Sequence, residues 1–337
     1  MEIKNILVIR LSSMGDVAMT VPVLFAFAQS NPKVKLTILT KKQFAPLFRD
    51  VKTATVVLAD FKDLHKGFLG LFRLSNQVRK HNIDAIADLH NVLRTKILKC
   101  FLFRIKFAKI NKGRSKKKAL TKGGVFYALR PTTERYADVF RSLGFSLSLE
   151  NISFPPPKQC PFSILKALDG LSAPVIGIAP FAAHMSKTYS KSNMEKVIYE
   201  LQKEYKILLF GGGTEEIEKL QELALSSLNV FSVAGKFTLG EELDIISNLN
   251  VMLSMDSSNG HLAAMLGIKV VTLWGVTHPF AGFAPFNQEP INNLLADRIE
   301  YPRIPTSIYG NIFPKGYELA IETIHPEVVV QAVKNSL

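Results

Sequence analysis

Asp16 lies in RLSSMGDVAMTVPVL, residues 10–24, between a short apolar run, Ile6 to Ile9, and an apolar-periodic segment. A carboxylate placed where a strand turns into a helix can take the proton of a bound hydroxyl, and open α/β sheets bind ligands at the carboxyl ends of their strands. Ser12, Ser13 and Asp16 are equally the residues of a helix cap. Further along, APFAAHMSKTYSKSNMEKVI places Lys187 between a strand and a helix whose start carries the capping pattern Ser192 to Glu195. That lysine can neutralise a phosphate, or stand as a solvated loop residue. FGGGTEEIEKL has glycines at a strand end that let backbone approach a ligand, and Glu215 can accept from a ribose hydroxyl; a turn and a helix start account for the same residues. MDSSNGHLAAMLGIKVVTLWGVTHP sets Asp256, Ser257 and Ser258 where a strand gives way to a helix, presenting hydroxyls and N–H groups to a pyrophosphate. His261 falls one turn into that helix, as a ligand contact or a structural histidine. Thr277, His278 and Pro279 follow the next strand and face the same edge.

The familiar nucleotide motifs are incomplete. Ser12 to Asp16 has one glycine and lacks G-x-G-x-x-G, and Gly211 to Gly213 are not followed by G-K-[ST], which counts against a dehydrogenase and a P-loop phosphotransferase. No D-x-D pair is present, so no metal is predicted. The two cysteines, Cys100 and Cys160, have no metal-ligand spacing and suit a reducing compartment. No apolar run reaches the length of a membrane span and no signal-peptide pattern opens the chain, so a cytoplasmic protein is expected. The net charge of +14 is concentrated: Arg94 to Lys122 holds twelve Lys or Arg and no acid, and the remainder carries only +2. A local basic patch fits an anionic membrane surface, a phosphorylated substrate or RNA, or is a solvated loop. It lacks a recognisable base-stacking module, which disfavours nucleic acid.

The elements that must position these residues alternate from the start. Strands are expected at Ile6–Ile9, Val34–Leu39, Thr55–Leu58 and Ala85–Asp88, with helices over Val17–Gln29, Phe68–Lys80 and Val92–Phe103. A strand follows through Phe103, Ile105 and Phe107, then an exposed loop carrying Lys112 to Lys118, then a helix over Thr132–Leu143 stopped by Gly144. Three consecutive prolines in FPPPKQCP break the rhythm. The expected domains are therefore 1–154, a linker at 155–161, a second domain at 162–315 and a C-terminal helix within 316–337. The second domain reads as strand Val175–Ala179, helix Asn193–Glu204, strand Lys206–Phe210, helix Glu215–Ser226, strand Asn229–Val233, helix Gly240–Leu249, strand Val251–Ser254, helix Gly260–Leu266 and strand Lys269–Leu273. The rhythm predicts an α/β protein of two Rossmann-like doubly wound domains facing a central cleft, where a ligand would touch both.

Taken together, SSMGD, SKTYS, and MDSSNGHLAAMLG followed by VTLWGVTHP resemble glycosyltransferase family nine, the heptosyltransferases of lipopolysaccharide core synthesis. The resemblance covers most of the chain and implies the GT-B architecture. It also implies an inverting transfer from a nucleotide-activated sugar, typically ADP-heptose, to a lipid A core glycolipid, with no cofactor required. Asp16 matches the family's catalytic aspartate and Lys187 its phosphate-binding lysine. Asp256, Ser257 and His261 match the nucleotide-sugar loop, where Ser258 is expected to meet the donor beside them, and Glu215, beside its competitor Glu216, matches the ribose contact. Phe237, Thr238 and Leu239 are similar to the nucleobase-pocket lining, and Ser13 and Gly15 fall on the donor side. Arg94, Arg114, Lys116, Lys117 and Lys118 are expected to meet the acceptor or the inner-membrane surface, with the protein peripherally attached there. The chain departs from the pattern at Ser258, where the family usually has glycine, and at Ala182 and Ala183, which stand where hydroxyls are usual. A non-catalytic binder of a sugar phosphate would keep Lys187 and the Asp256 loop and have no use for Asp16.

Overall fold

The computed structural model describes residues 2–168, 173–225 and 227–337. The chain divides into two compact units, one formed by Met1–Lys112 with Thr132–Pro155 and the other by Gly113–Pro131 with Pro156–Leu337. In chain order the elements begin with β1 (Asn5–Ile9), α1 (Met14–Ala18), α2 (Thr20–Ser30), β2 (Lys35–Lys41) and β3 (Ala54–Ala59). There follow α3 (Gly67–Arg79), β4 (Ala85–Asp88), α4 (Leu93–Phe101), β5 (Lys106–Lys109), α5 (Arg114–Thr121) and α6 (Thr132–Ser142). All but α5 belong to the first unit. Its strands lie in the order β3-β2-β1-β4-β5, every pair parallel. Ile6 to Ile9 are buried, as the middle strand of a sheet covered on both faces requires.

The second unit runs through α7 (Phe162–Ala167), β6 (Val175–Ala179), α8 (Lys191–Leu201), β7 (Lys206–Leu209), α9 (Thr214–Ala224) and β8 (Val230–Ser232). It continues with α10 (Leu239–Ile246), β9 (Val251–Met255), α11 (Ser258–Ala264), β10 (Lys269–Trp274), β11 (Asn293–Leu295) and α12 (Pro326–Asn335). The order β11-β10-β9-β6-β7-β8, again all parallel, is that of a Rossmann sheet. Ile321, Ile324, Val329 and Val333 from the C-terminal stretch join the core of this sheet, beside Ile198 and Leu201 of α8. Both units are thus Rossmann-like parallel α/β sheets. Among the described residues no helix is long and apolar enough to cross a membrane.

In each sheet the chain winds outward from its first strand, then returns to the other side, so the loops after two adjacent strands diverge and leave a crevice. In the first unit these are the loops after β1 and β4, which begin at Arg10 and Leu89. In the second they are the loops after β6 and β9, which hold Lys187 and Asp256.

Several expectations need correction. Lys112 to Lys118 is not an exposed loop throughout: Gly113, with φ of 61°, starts α5, and Leu120 is buried with Leu129 and Ala281. One apolar anchor in a run of lysines leaves no helical periodicity to read. The helix expected over Val17–Gln29 is divided at Met19 into α1 and α2; Pro22, without an N–H, removes a bond from the helical ladder there. The cap of α8 is Ser190, whose hydroxyl accepts from the Asn193 N–H, rather than Ser192. β11 carries no extended signal in the sequence and pairs with the end of β10. The expected end of α9 at Ser226 lies outside the described residues.

Candidate active site

In the first unit, β1 delivers Arg10 to the sheet edge with its side chain buried. Arg10 Nη1 donates to the Leu89 carbonyl at 2.8 Å, and Nη2 meets Asp16 Oδ2 at 2.5 Å. The guanidinium carbon also stands 5.7 Å from the centroid of the Tyr136 ring, whose hydroxyl donates to the Asp16 carbonyl at 3.4 Å. Asp16 is the third residue of α1 and caps it: Oδ2 accepts from the Ser13 hydroxyl at 3.0 Å and from the Ser13 N–H at 3.5 Å. Base and cap are therefore compatible. All these contacts fall on Oδ2, and Oδ1 is the oxygen left to meet a hydroxyl. Ser13 and Gly15 sit in the same turn.

His90, in the loop after β4, has Nε2 3.5 Å from Ser12 Oγ. Its loop is fixed by Asp88 Oδ1, which accepts from the His90 and Asn91 N–H groups at 3.0 and 2.8 Å. Burial, reinforced by the positive charges of Arg10 and Lys112, lowers its pKa to about 4, so the ring is neutral at physiological pH. No motif or spacing in the sequence marks Arg10, His90 or Tyr136 as site residues. Arg10 and His90 become neighbours only because β1 pairs with β4, and Tyr136 arrives from α6, more than a hundred residues away.

In the second unit, Lys187 and Asp256 meet across the crevice between β6 and β9. Lys187 Nζ donates to the Asp256 carbonyl at 2.7 Å and to Oδ2 at 3.2 Å; the two side chains are 11% and 12% exposed. Thr277 Oγ1, beyond β10, donates to the same Oδ2 at 2.8 Å. An ammonium has three donors, so one N–H of Lys187 remains for an anion. The lysine stem is held by Gly310: at φ of +80°, an added Cβ there would lie 2.7 Å from Lys187 Cγ. Ser186 Oγ donates to the Gly310 carbonyl at 2.5 Å, fastening that loop to the site. Ser257 Oγ is 3.1 Å from Ser254 Oγ, Ser258 opens α11, and His261 is buried one turn in. His278 Nδ1 accepts from the Phe280 N–H at 3.1 Å, and burial with the nearby Arg298 lowers its pKa to about 4.

Glu215 and Glu216 are separated by their surroundings. Glu216 Oε2 accepts from the Gly212 N–H at 2.8 Å and so holds the glycine turn, whereas Glu215 is exposed in the first turn of α9. Phe237, Thr238 and Leu239 lie at the start of α10, which Thr238 caps together with Glu241. Ala182 and Ala183 lie in the Lys187 loop. The basic residues do not form one group. Arg94 is in the first unit, with its guanidinium carbon 5.0 Å from the Phe61 centroid; Arg114 and Lys116 to Lys118 are on α5 in the second. Lys117 Nζ lies 3.8 Å from the Phe283 centroid, while Arg114, Lys116 and Lys118 are exposed. Among the described residues no group of three or more His, Cys, Asp or Glu is placed to hold a metal ion.

Residues 71–304 match the sequence pattern of glycosyltransferase family 9 (heptosyltransferase). The chain belongs to this family. A relative, lipopolysaccharide heptosyltransferase 3 of Escherichia coli strain K12, is 23% identical over 279 residues, which cover 78% of this chain and 80% of that protein. Two solved structures share the fold. The family 9 glycosyltransferase of Veillonella parvula aligns with a TM-score of 0.75 at 20% identity, over 100% of this chain and 98% of its own. The Escherichia coli heptosyltransferase WaaC, solved with ADP, gives 0.70 at 18% identity, over 99% and 100%. Two Rossmann-like units in a family 9 chain make the GT-B architecture, and the protein is a glycosyltransferase.

Proposed function

We propose that the protein transfers a heptose from ADP-heptose to a lipopolysaccharide core glycolipid, inverting the anomeric centre and requiring no cofactor. The observation that carries this reading is the Lys187–Asp256–Thr277 cluster at the crevice of a Rossmann sheet within a family 9 chain. Asp256, fixed by Thr277, aims the Lys187 ammonium; its remaining N–H and the Ser257 and Ser258 groups meet the diphosphate. Their role is largest as the nucleoside diphosphate departs, when its charge grows. Glu215, released from the turn-holding task that occupies Glu216, takes the ribose, and the Phe237–Leu239 stretch with His261 completes the donor site.

Asp16 is the base. Its Oδ1 removes the acceptor hydroxyl proton as that oxygen attacks the anomeric carbon from the face opposite the leaving diphosphate, and direct displacement inverts the configuration. Arg10 holds Oδ2 and so orients the carboxylate. The exposed Arg114, Lys116 and Lys118, with Lys117, meet the phosphorylated acceptor, while Arg94 meets the membrane surface to which the protein attaches peripherally, at about 1 kcal/mol per basic residue near anionic lipid.

Thermal unfolding with a panel of nucleoside diphosphates tests the reading, because a ligand that binds only the folded state raises the midpoint. ADP is expected to stabilise the protein selectively, and Lys187→Ala to abolish the shift measured against its own unliganded midpoint. Stabilisation by UDP or GDP in place of ADP would refute the donor.

A further inference from the structure

α3 departs from the pattern of an ordinary surface helix, which is apolar only toward its core. Leu71, Leu74 and Val78 fill that inward role. Yet the first two turns are apolar on the outside as well: Phe68 is 66% exposed and Leu69 72%. The patch continues onto α4, for the Phe101 ring lies 5.0 Å from that of Phe68 and 5.5 Å from that of Phe72. Leu93, at the start of α4, is 72% exposed, beside the Arg94–Phe61 stack. Apolar side chains at this density on an outer face mark a contact surface.

The rim decides what it contacts. Lys66, Arg73, Arg94, Lys96 and Lys99 are all exposed on the same two helices and their approaches. No Asp or Glu occurs between Asp63 and Asp84, or between Asp88 and Glu134. We infer that the α3–α4 face is the surface by which the protein lies on an anionic bilayer, the phenyl and leucyl groups entering the acyl boundary and the cations meeting lipid phosphates. A second copy of the chain would set this one-signed rim against itself, which charge repulsion opposes. The inference deepens the peripheral-membrane reading above by naming the surface, and rests on it.

Flotation of the full chain with vesicles tests the assignment. The protein is expected to bind vesicles of phosphatidylglycerol with phosphatidylcholine, to ignore pure phosphatidylcholine, and to release as salt rises past the point where the Debye length falls below about 10 Å. Phe68→Ser/Leu69→Ser is expected to weaken binding by about tenfold or more through lost apolar insertion. Arg73→Glu does so through charge, and Lys116→Ala/Lys118→Ala retains most of it. These side chains are exposed, and unchanged unfolding midpoints verify the folds. The assignment is overturned if wild type ignores anionic vesicles, if neither α3 variant weakens binding, or if the α5 variant alone abolishes it. It is equally overturned if sedimentation shows a dimer that Phe68→Ser/Leu69→Ser dissolves while vesicle binding persists. The ADP shift is a separate readout: its absence with the vesicle results intact would strike the donor reading and leave the surface standing.

Discussion

Asp16 has one oxygen tied to Arg10 and Ser13, and in the proposed function the other serves the acceptor. Asp16→Asn keeps an oxygen for the cap and removes the proposed base, so turnover is expected to fall by about 10²–10⁴-fold in a protein that still folds, with a lowered unfolding midpoint because buried Arg10 loses its counter-charge. Steady-state transfer assays beside thermal melts check this; retention of turnover would make Asp16 a cap alone. Glu242 on α10 offers a test of a different kind, since burial raises its pKa to about 7 from an ordinary 4.5. A raised carboxyl pKa means that the folded state holds the proton more tightly than the unfolded chain. The resulting penalty is absent below pH 4.5, grows as pH rises, and is complete above about 7. Glu242→Gln is therefore expected to match wild-type stability near pH 4.5 and exceed it at pH 8, as melts across that range would show. Lys187, Asp256 and Thr277 can be marked in the sequence because each lies in the loop after an apolar strand and is of a type that binds anions or fixes a residue that does. Arg10 and His90 cannot, because their partnership depends on which strands pair.

At the scale of elements, the loop around Gly310 shows how a connection with no pattern of its own serves the site. Its φ of +80° and the nearness of Lys187 Cγ leave no room for a methyl group. Gly310→Ala is expected to displace the Lys187 side chain, lowering ADP affinity and stability together; calorimetric titration and melts on the variant check it, and unchanged affinity would free Lys187 from this support. Strands are legible as continuous apolar runs, and the apolar periodicity of most helices ends within a few residues of their observed bounds. The misses have local causes: Ser190 and Ser192 are equally good caps by composition, and only the bend of the chain chooses between them. α5 was hidden because its stability comes from one buried leucine and a cation on Phe283 rather than from an amphipathic stripe.

For the whole molecule, the βα rhythm and the proline stretch expose two α/β units, while the sheet orders follow from pairings that no local pattern encodes. The segment 113–131 is the clearest case. Read along the sequence it continues the first unit, yet it packs with the second, where Leu120 and Leu129 cover Ala281, and the Leu129 N–H donates to the Phe280 carbonyl at 2.8 Å. The polypeptide therefore changes units after Lys112, after Pro131 and after Pro155. Neither unit corresponds to an uninterrupted run of codons. A gene divided at the prolines yields a C-terminal product lacking the piece that covers its own apolar surface, and an N-terminal product carrying that piece with nothing to cover. Recombination between relatives at this apparent border would likewise hand each daughter a mismatched insert, so exchange of whole units in this lineage needs three matched breakpoints rather than one.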